Sequence, residues 1–241
     1  MTINPDTTEF NIIFGAEIFI VLLKFLIILY LGKKIAEQKK EKEAKGLDFL
    51  IGLLVLFIGL FTSRIFYVLF DFIYARFDFT VFHLPPNIWL WKFGMFFVSI
   101  GLGYLILILD KKVLNNKYKG IFAYIIFGGA VLVLFWPVQS QDDFGVISLF
   151  AIIPQVISLI LPGLFLQIGR QSTGELRKVS YLLSLGFILY IIASFLVIAP
   201  FIEFMSETLE RELVLLFYGF RAAFKCSALI IFAYGASKFG Q

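Results

Sequence analysis

The sequence predicts an all-α membrane protein: a seven-transmembrane helix bundle with its N-terminus outside and its C-terminus cytoplasmic. Three observations carry this reading. Of 241 residues, 60% are hydrophobic and only 16% are charged, against about a quarter charged in an ordinary soluble domain. The apolar residues collect in seven runs, each near or above the ~20 residues that cross a hydrocarbon core as a helix. The connectors between runs alternate between basic-rich and basic-poor, which sets a sidedness. The whole chain, 1–241, reads as one transmembrane domain.

The first run covers 11–32. The residues before it carry no basic cluster and no cleavage pattern, so it is expected to stay as a helix and not to act as a signal peptide. KKIAEQKKEKEAKG follows it, with Lys33, Lys34, Lys39, Lys40, Lys42 and Lys45; this stretch is a candidate charged continuation of the helix. The second run, 47–73, places Gly52 and Gly59 on one face. The third, 87–109, starts after Pro85–Pro86, a pair that permits a first helical turn and not a preceding one. Gly94 and Gly101 share a face of it, and Ser99 and Gly103 form a small-xxx-small pair. Such residues let helix backbones approach closely in lipid. The fourth run is 120–138. The fifth, 144–169, contains Pro154 and Pro162, and the sixth, 179–204, contains Pro200. Each proline removes a backbone bond and should kink its helix. The seventh run is 213–236.

Lys111, Lys112, Lys117 and Lys119 follow the third run, Arg170, Arg177 and Lys178 the fifth, and Lys238 the seventh. The other connectors hold Arg76 and His83 after the second run, QSQDDFG with no base, and SETLERE with Arg211 alone. The positive-inside rule then makes the basic set cytoplasmic, where its lysines would be drawn to anionic lipids at about 1 kcal/mol per base. Trp89, Trp91 and Trp136 fall at the opposite level and fit an interfacial belt. The net charge of +4 therefore reports loop topology and not nucleic-acid binding.

The polar residues inside the runs are the functional clue. Arg221 and Lys225 sit four residues apart on one face of the seventh run, where like charges repel. Lys225 lies about 19 Å from Glu212 along the helix, near the bilayer centre, where an unpaired cation costs at least about 2.5–3.5 kcal/mol. Glu17 and Arg64 each lie roughly 10 Å below the outer surface at the helical rise. That common depth makes Glu17–Arg64 a candidate ion pair, with Glu17–Arg221 the alternative. Lys92 is close enough to the outer end to snorkel and stands at the edge of the same layer. Lys24 reaches the inner lysines only with strain, Asp71 is expected to be wet at the outer boundary, and Gln155 adjoins Pro154. Bases exceed acids, so a small acidic ligand or lipid headgroup is expected beside Arg221, Lys225, Arg64, Glu17 and Lys92.

Catalysis is not expected. His83 is the only histidine and Cys226 the only cysteine, so no metal cluster or disulfide is available, and no pair of acids shares a membrane layer. No cofactor is implied. His83 reads as an exposed loop residue.

Seven helices, an outer N-terminus and Lys225 midway along the last helix resemble a microbial rhodopsin, and that resemblance implies retinal bound at Lys225 as a Schiff base. It covers topology, size and Lys225 only. Arg221 stands where that family has an acid, residues 88–109 lack a carboxylate counterion, and residues 179–204 lack tryptophan. The topology is also similar to that of G-protein-coupled receptors, but LILDKK and FAYGASKF replace their third- and seventh-helix motifs. No family is assigned.

The leading expectation is a receptor-like sensor with an outward-facing cationic pocket and a separate cytoplasmic or membrane signalling partner. The alternatives are an anion transporter or channel, a structural subunit of a membrane complex, and a retinal protein. Asp71–Phe72 and Glu203–Phe204 close the second and sixth runs alike, a repeat that would suit a transporter.

Overall fold

The computed structural model describes residues 8–40, 46–196 and 211–238, and these are helical with short connectors. α1 (Thr8–Gln38) runs past its apolar stretch into the lysine-rich sequence, as the charged-continuation reading expects; Lys42 and Lys45 lie outside the described residues. α2 (Leu47–Val68) ends in a wider π-turn, Leu69–Tyr74. α3 is Asn87–Lys112 and α4 is Ile121–Phe135. The fifth run is three helices, α5 (Gln141–Phe150), α6 (Ile152–Ser158) and α7 (Ile160–Gln171). α8 is Gly174–Phe195 and α9 is Arg211–Lys238.

Six of these stretches are long and apolar enough to cross a membrane. Their outer faces are apolar: Phe135 is 78% exposed, with Leu149 and Ile230 also bare. A soluble protein does not spread so much exposed apolar surface over its helices, and in lipid these side chains meet acyl chains. The bundle is that of an integral membrane protein.

The fourth run is shorter than expected. Its helix has 15 residues, about 22 Å at the helical rise. Pro137 is the cause: it disfavours helical geometry at the residue before it, and Trp136 is extended at ψ 126°. The fifth run breaks where its prolines require. Pro154 and Pro162 cannot donate to the carbonyls of Phe150 and Ser158, and the helix interrupts at Ala151 and Leu159. Leu159 N–H turns instead to Val156 O, at 3.1 Å. Pro200 and Glu203–Phe204 lie outside the described residues.

α1, α2, α3 and α4 pack in sequence, α6 leans on α4, and α7, α8 and α9 follow until α9 closes against α1. The glycines set the α2–α3 distance. A Cβ on Gly59 would stand 2.5 Å from Phe97 O, and one on Gly101 would stand 3.1 Å from Leu56 Cα. Gly235 meets the Leu183 side chain in the same way across α8 and α9. Gly59→Ala should therefore destabilise the bundle by ~1–3 kcal/mol through overpacking. Gly15→Ala, with nothing near the added methyl, should not; thermal unfolding of both variants in one detergent makes the comparison.

The two ends of the bundle differ. At one end Lys34 Nζ donates to Ala236 O at 2.5 Å and to Ser237 O. Lys112 pairs with Asp48 at 2.9 Å and Lys238 with Glu175 at 3.4 Å. The carboxylate of Asp110, buried at the foot of α3, accepts the N–H of Tyr118 at 3.0 Å and of Gly120 at 2.6 Å. It thereby pins a turn whose Gly120 has φ +73°, left-handed geometry that glycine adopts without strain. This end gathers the basic connectors. Near it Leu50, Leu53, Leu105, Leu109, Phe165 and Leu183 make a dry core, each about 1% exposed or less. At the opposite end Asp78 caps the turn Phe79–Val81, its Oδ1 accepting the N–H and hydroxyl of Thr80 at 3.0 and 2.7 Å, and these bonds hold its carboxyl below the usual carboxylate range.

Candidate polar cavity between α2, α8 and α9

The half of the bundle away from the basic connectors is hollow. A cavity of about 460 Å³ opens there between α2, α3, α5, α6, α8 and α9, within the range of small-molecule sites, ~300–1,000 Å³. Its polar wall comes from spacing. Arg64 and Asp71, seven residues apart, and Arg221 and Lys225, four apart, each fall on one helix face.

Glu17 ties three helices together. Its Oε2 accepts from Arg64 Nε at 2.6 Å, and its Oε1 pairs with Arg221. The two pairings that the sequence offers as alternatives thus form at once, one on each oxygen. Glu17, Arg64 and Arg221 are all buried, at 3%, 8% and 6% exposure. Arg64 and Arg221 line the cavity, while Glu17 stands behind them. Its carboxylate is taken up by the guanidiniums and is not part of the cavity lining.

Lys225 lines the cavity one turn beyond Arg221. Its ammonium lies 5.6 Å from the centre of the Tyr190 ring and makes no ion pair with a described carboxylate. Lys24 does not snorkel. It is 2% exposed, lines the cavity floor, and donates to Leu60 O at 3.1 Å. Two turns separate it from Glu17 on α1, so the face that presents Glu17 to Arg64 also presents Lys24 to α2.

Lys92 is placed elsewhere. It is buried and donates to Trp136 O at 2.6 Å, with its ammonium 4.9 Å from the Trp89 ring centre. That carbonyl is free because Pro137 ended α4. Lys92 therefore ties α3 to the α4–α5 connector and does not line the cavity. Trp91 lines the cavity wall, 5.2 Å from the Phe144 ring. His83 is half-buried, and its Nδ1 has no partner among the described residues.

Three wall groups were not among the expected ligand-binding residues. Asp71, in the π-turn, is half-buried and lines the cavity. Gln155 lines the cavity from α6, and its buried Oε1 has no partner. Tyr190 faces Lys225. The available signals were the seven-residue spacing from Arg64 to Asp71 and an amide beside a helix-breaking proline. With Glu17 counted, the polar cluster holds Lys24, Arg64, Arg221 and Lys225 against two acids, Glu17 and Asp71.

Below the cavity an aromatic chain fills the space between helices. Phe187 contacts Phe232 at 4.6 Å and stacks on Phe165 at 5.5 Å; Phe165 meets Phe49 at 5.8 Å, and Phe232 meets Phe57 at 6.0 Å. The cavity ends on these rings. No family model, curated protein or solved structure matches the chain.

Proposed function

We propose that this chain is a seven-transmembrane, receptor-like sensor whose cavity opens to the outside and takes a small acidic ligand or lipid headgroup. The observation that carries this reading is a cationic cavity that ends on packed aromatic rings. Its bases outnumber its acids, and an anion offsets that excess where burial makes charge costly. Phe187, packed between Phe232 and Phe165, places aromatic rings between the cavity and the basic end, which favours binding over passage. The basic connectors put Lys34, Lys112 and Lys238 on the cytoplasmic side, next to anionic lipids and to whatever partner receives a signal. In this reading the 15-residue α4 and the residues that follow it, beginning with extended Trp136, serve as the remaining crossing.

Orientation is tested by labelling in a Cys226→Ser background. Thr80→Cys should react with an impermeant maleimide in intact cells, and Lys117→Cys only after permeabilisation. The reverse pattern would place the cavity on the inner face.

The binding reading is tested with purified protein in detergent, titrated with inorganic phosphate and small carboxylates under a thermal-shift readout. Saturable stabilisation that is lost in Lys225→Leu supports it. An absence of stabilisation by any anion in the wild-type protein sinks it.

An anion transporter is the second reading, favoured by the break at Ala151–Leu159 in the cavity wall, since interrupted helices line transporter sites. Uptake of a radiolabelled anion by proteoliposomes would replace the sensor reading with this one.

A further inference from the structure

We propose that the ligand is a zwitterion: an anionic group joined by a short spacer to an ammonium, as in phosphoethanolamine. This rests on the anion-binding reading and narrows it.

The argument is a hydrogen-bond inventory of the cavity wall. Buried polar groups almost always have partners, yet Arg221 Nε and Gln155 Oε1 have none, and the Lys225 ammonium and the carboxylate of half-buried Asp71 in the same wall make no hydrogen bond or ion pair with a described residue. Arg221 Nε is a buried donor without an acceptor. Lys225 offers up to three N–H donors and has only the face of Tyr190 beside it, at 5.6 Å. Gln155 Oε1 is a buried acceptor without a donor. Asp71 lines the cavity with a carboxylate that no described base reaches, although Arg64 and Arg221 lie within electrostatic range.

The unused donors belong to α9, and the unused acceptors to the π-turn after α2 and to α6. A simple anion would satisfy Arg221 and Lys225, then be repelled by Asp71 while Gln155 stayed orphaned. A simple cation would fail in the opposite way. A molecule with both groups answers all four. The setting supports the assignment: Asp71 lies in the π-turn, and such turns occur often at functional sites. Beside Asp71 the wall is aromatic, with Phe70, Phe72, Phe77 and Phe82, and ring faces attract an ammonium.

The chemistry is shared by a free zwitterion and by the headgroup of phosphatidylethanolamine, so the test has two arms. In detergent, phosphoethanolamine is compared with ethyl phosphate, which lacks the amine, and with ethanolamine, which lacks the anion. In nanodiscs, retention of phosphatidylethanolamine is compared with phosphatidylglycerol by native mass spectrometry. Binding of phosphoethanolamine at least ~10-fold tighter than ethyl phosphate, one added charge-assisted contact, supports the proposal for a free ligand. Selective retention of phosphatidylethanolamine supports it for a lipid. Asp71→Asn should erase either preference and, by removing the repulsion, tighten ethyl phosphate binding; Gln155→Leu serves as the second variant if Asp71→Asn does not fold.

Equal binding of ethyl phosphate and phosphoethanolamine, with no lipid preference, overturns the zwitterion and leaves the anion reading standing. Equal binding of ethanolamine and phosphoethanolamine overturns it as well. If no probe and no lipid binds the wild-type protein, both readings fall.

Discussion

Glu17→Ala is expected to cost the bundle roughly 3–5 kcal/mol, the penalty of removing one partner from a buried ion cluster. Glu17 alone neutralises two guanidiniums, through Arg64 Nε at 2.6 Å and through Arg221 on its other oxygen. Without it, two buried arginines on α2 and α9 face each other with no carboxylate between them. Arginine cannot shed its proton in response, so the cost falls on packing: α1, α2 and α9 must part to admit water. A monodisperse wild-type protein and an aggregated or strongly destabilised variant are the expected chromatography and thermal-unfolding results. Glu17→Gln should lie between the two, because an amide offers one acceptor oxygen and turns its NH₂ toward the second guanidinium. The triple variant Glu17→Leu, Arg64→Leu, Arg221→Leu should regain much of the lost stability, since apolar side chains of similar volume often replace a buried ion cluster without penalty. It should also lose anion binding. A stable, anion-binding Glu17→Ala protein would show that the carboxylate neither holds the helices nor positions the arginines.

The helices were legible in the sequence because each is a long apolar run ended by charge. Their ends were less so. Hydropathy runs smoothly through Trp136–Pro137–Val138, yet Pro137 stops α4 early by acting on the backbone of the residue before it. The breaks at Ala151 and Leu159 were readable, since Pro154 and Pro162 name the carbonyls they leave free. The ionic cluster was half legible. Depth placed Glu17, Arg64 and Arg221 in one layer, but the bridging geometry depends on where α9 closes the bundle against α1. Depth alone left the surroundings of two residues unread. Lys92 has the reach to snorkel, and the carbonyl that Pro137 frees at Trp136 captures it instead. Asp71 sits at a boundary level, and depth does not show that it shares a cavity with Arg64 and Arg221.

Lys24 lies on the same face of α1 as Glu17, two turns deeper, and its removal is expected to have the opposite sign. The ammonium is almost fully buried, and its hydrogen bond goes to Leu60 O at 3.1 Å. That carbonyl already accepts the N–H of Arg64 within α2, as every interior helical carbonyl does four residues on. Losing Lys24 therefore orphans nothing, whereas keeping it holds a charge in the driest part of the cavity floor, above Phe187 and Phe232. Lys24→Met fills nearly the same space with an unbranched, adaptable side chain. It should stabilise the bundle by ~1–3 kcal/mol, in line with other replacements of buried ions by apolar groups. The same change removes a positive charge from the cavity floor, so phosphate or carboxylate binding should weaken several-fold. A gain in stability together with a loss of affinity would identify Lys24 as a group held at a structural cost for the sake of the site, a trade common where function needs a strained or buried charge. A loss of stability would mean that the ammonium is anchored by more than the Leu60 carbonyl, and that it belongs to the framework built on Glu17. The opposed signs expected for Glu17→Ala and Lys24→Met separate the groups that hold this bundle together from those that give its cavity a charge.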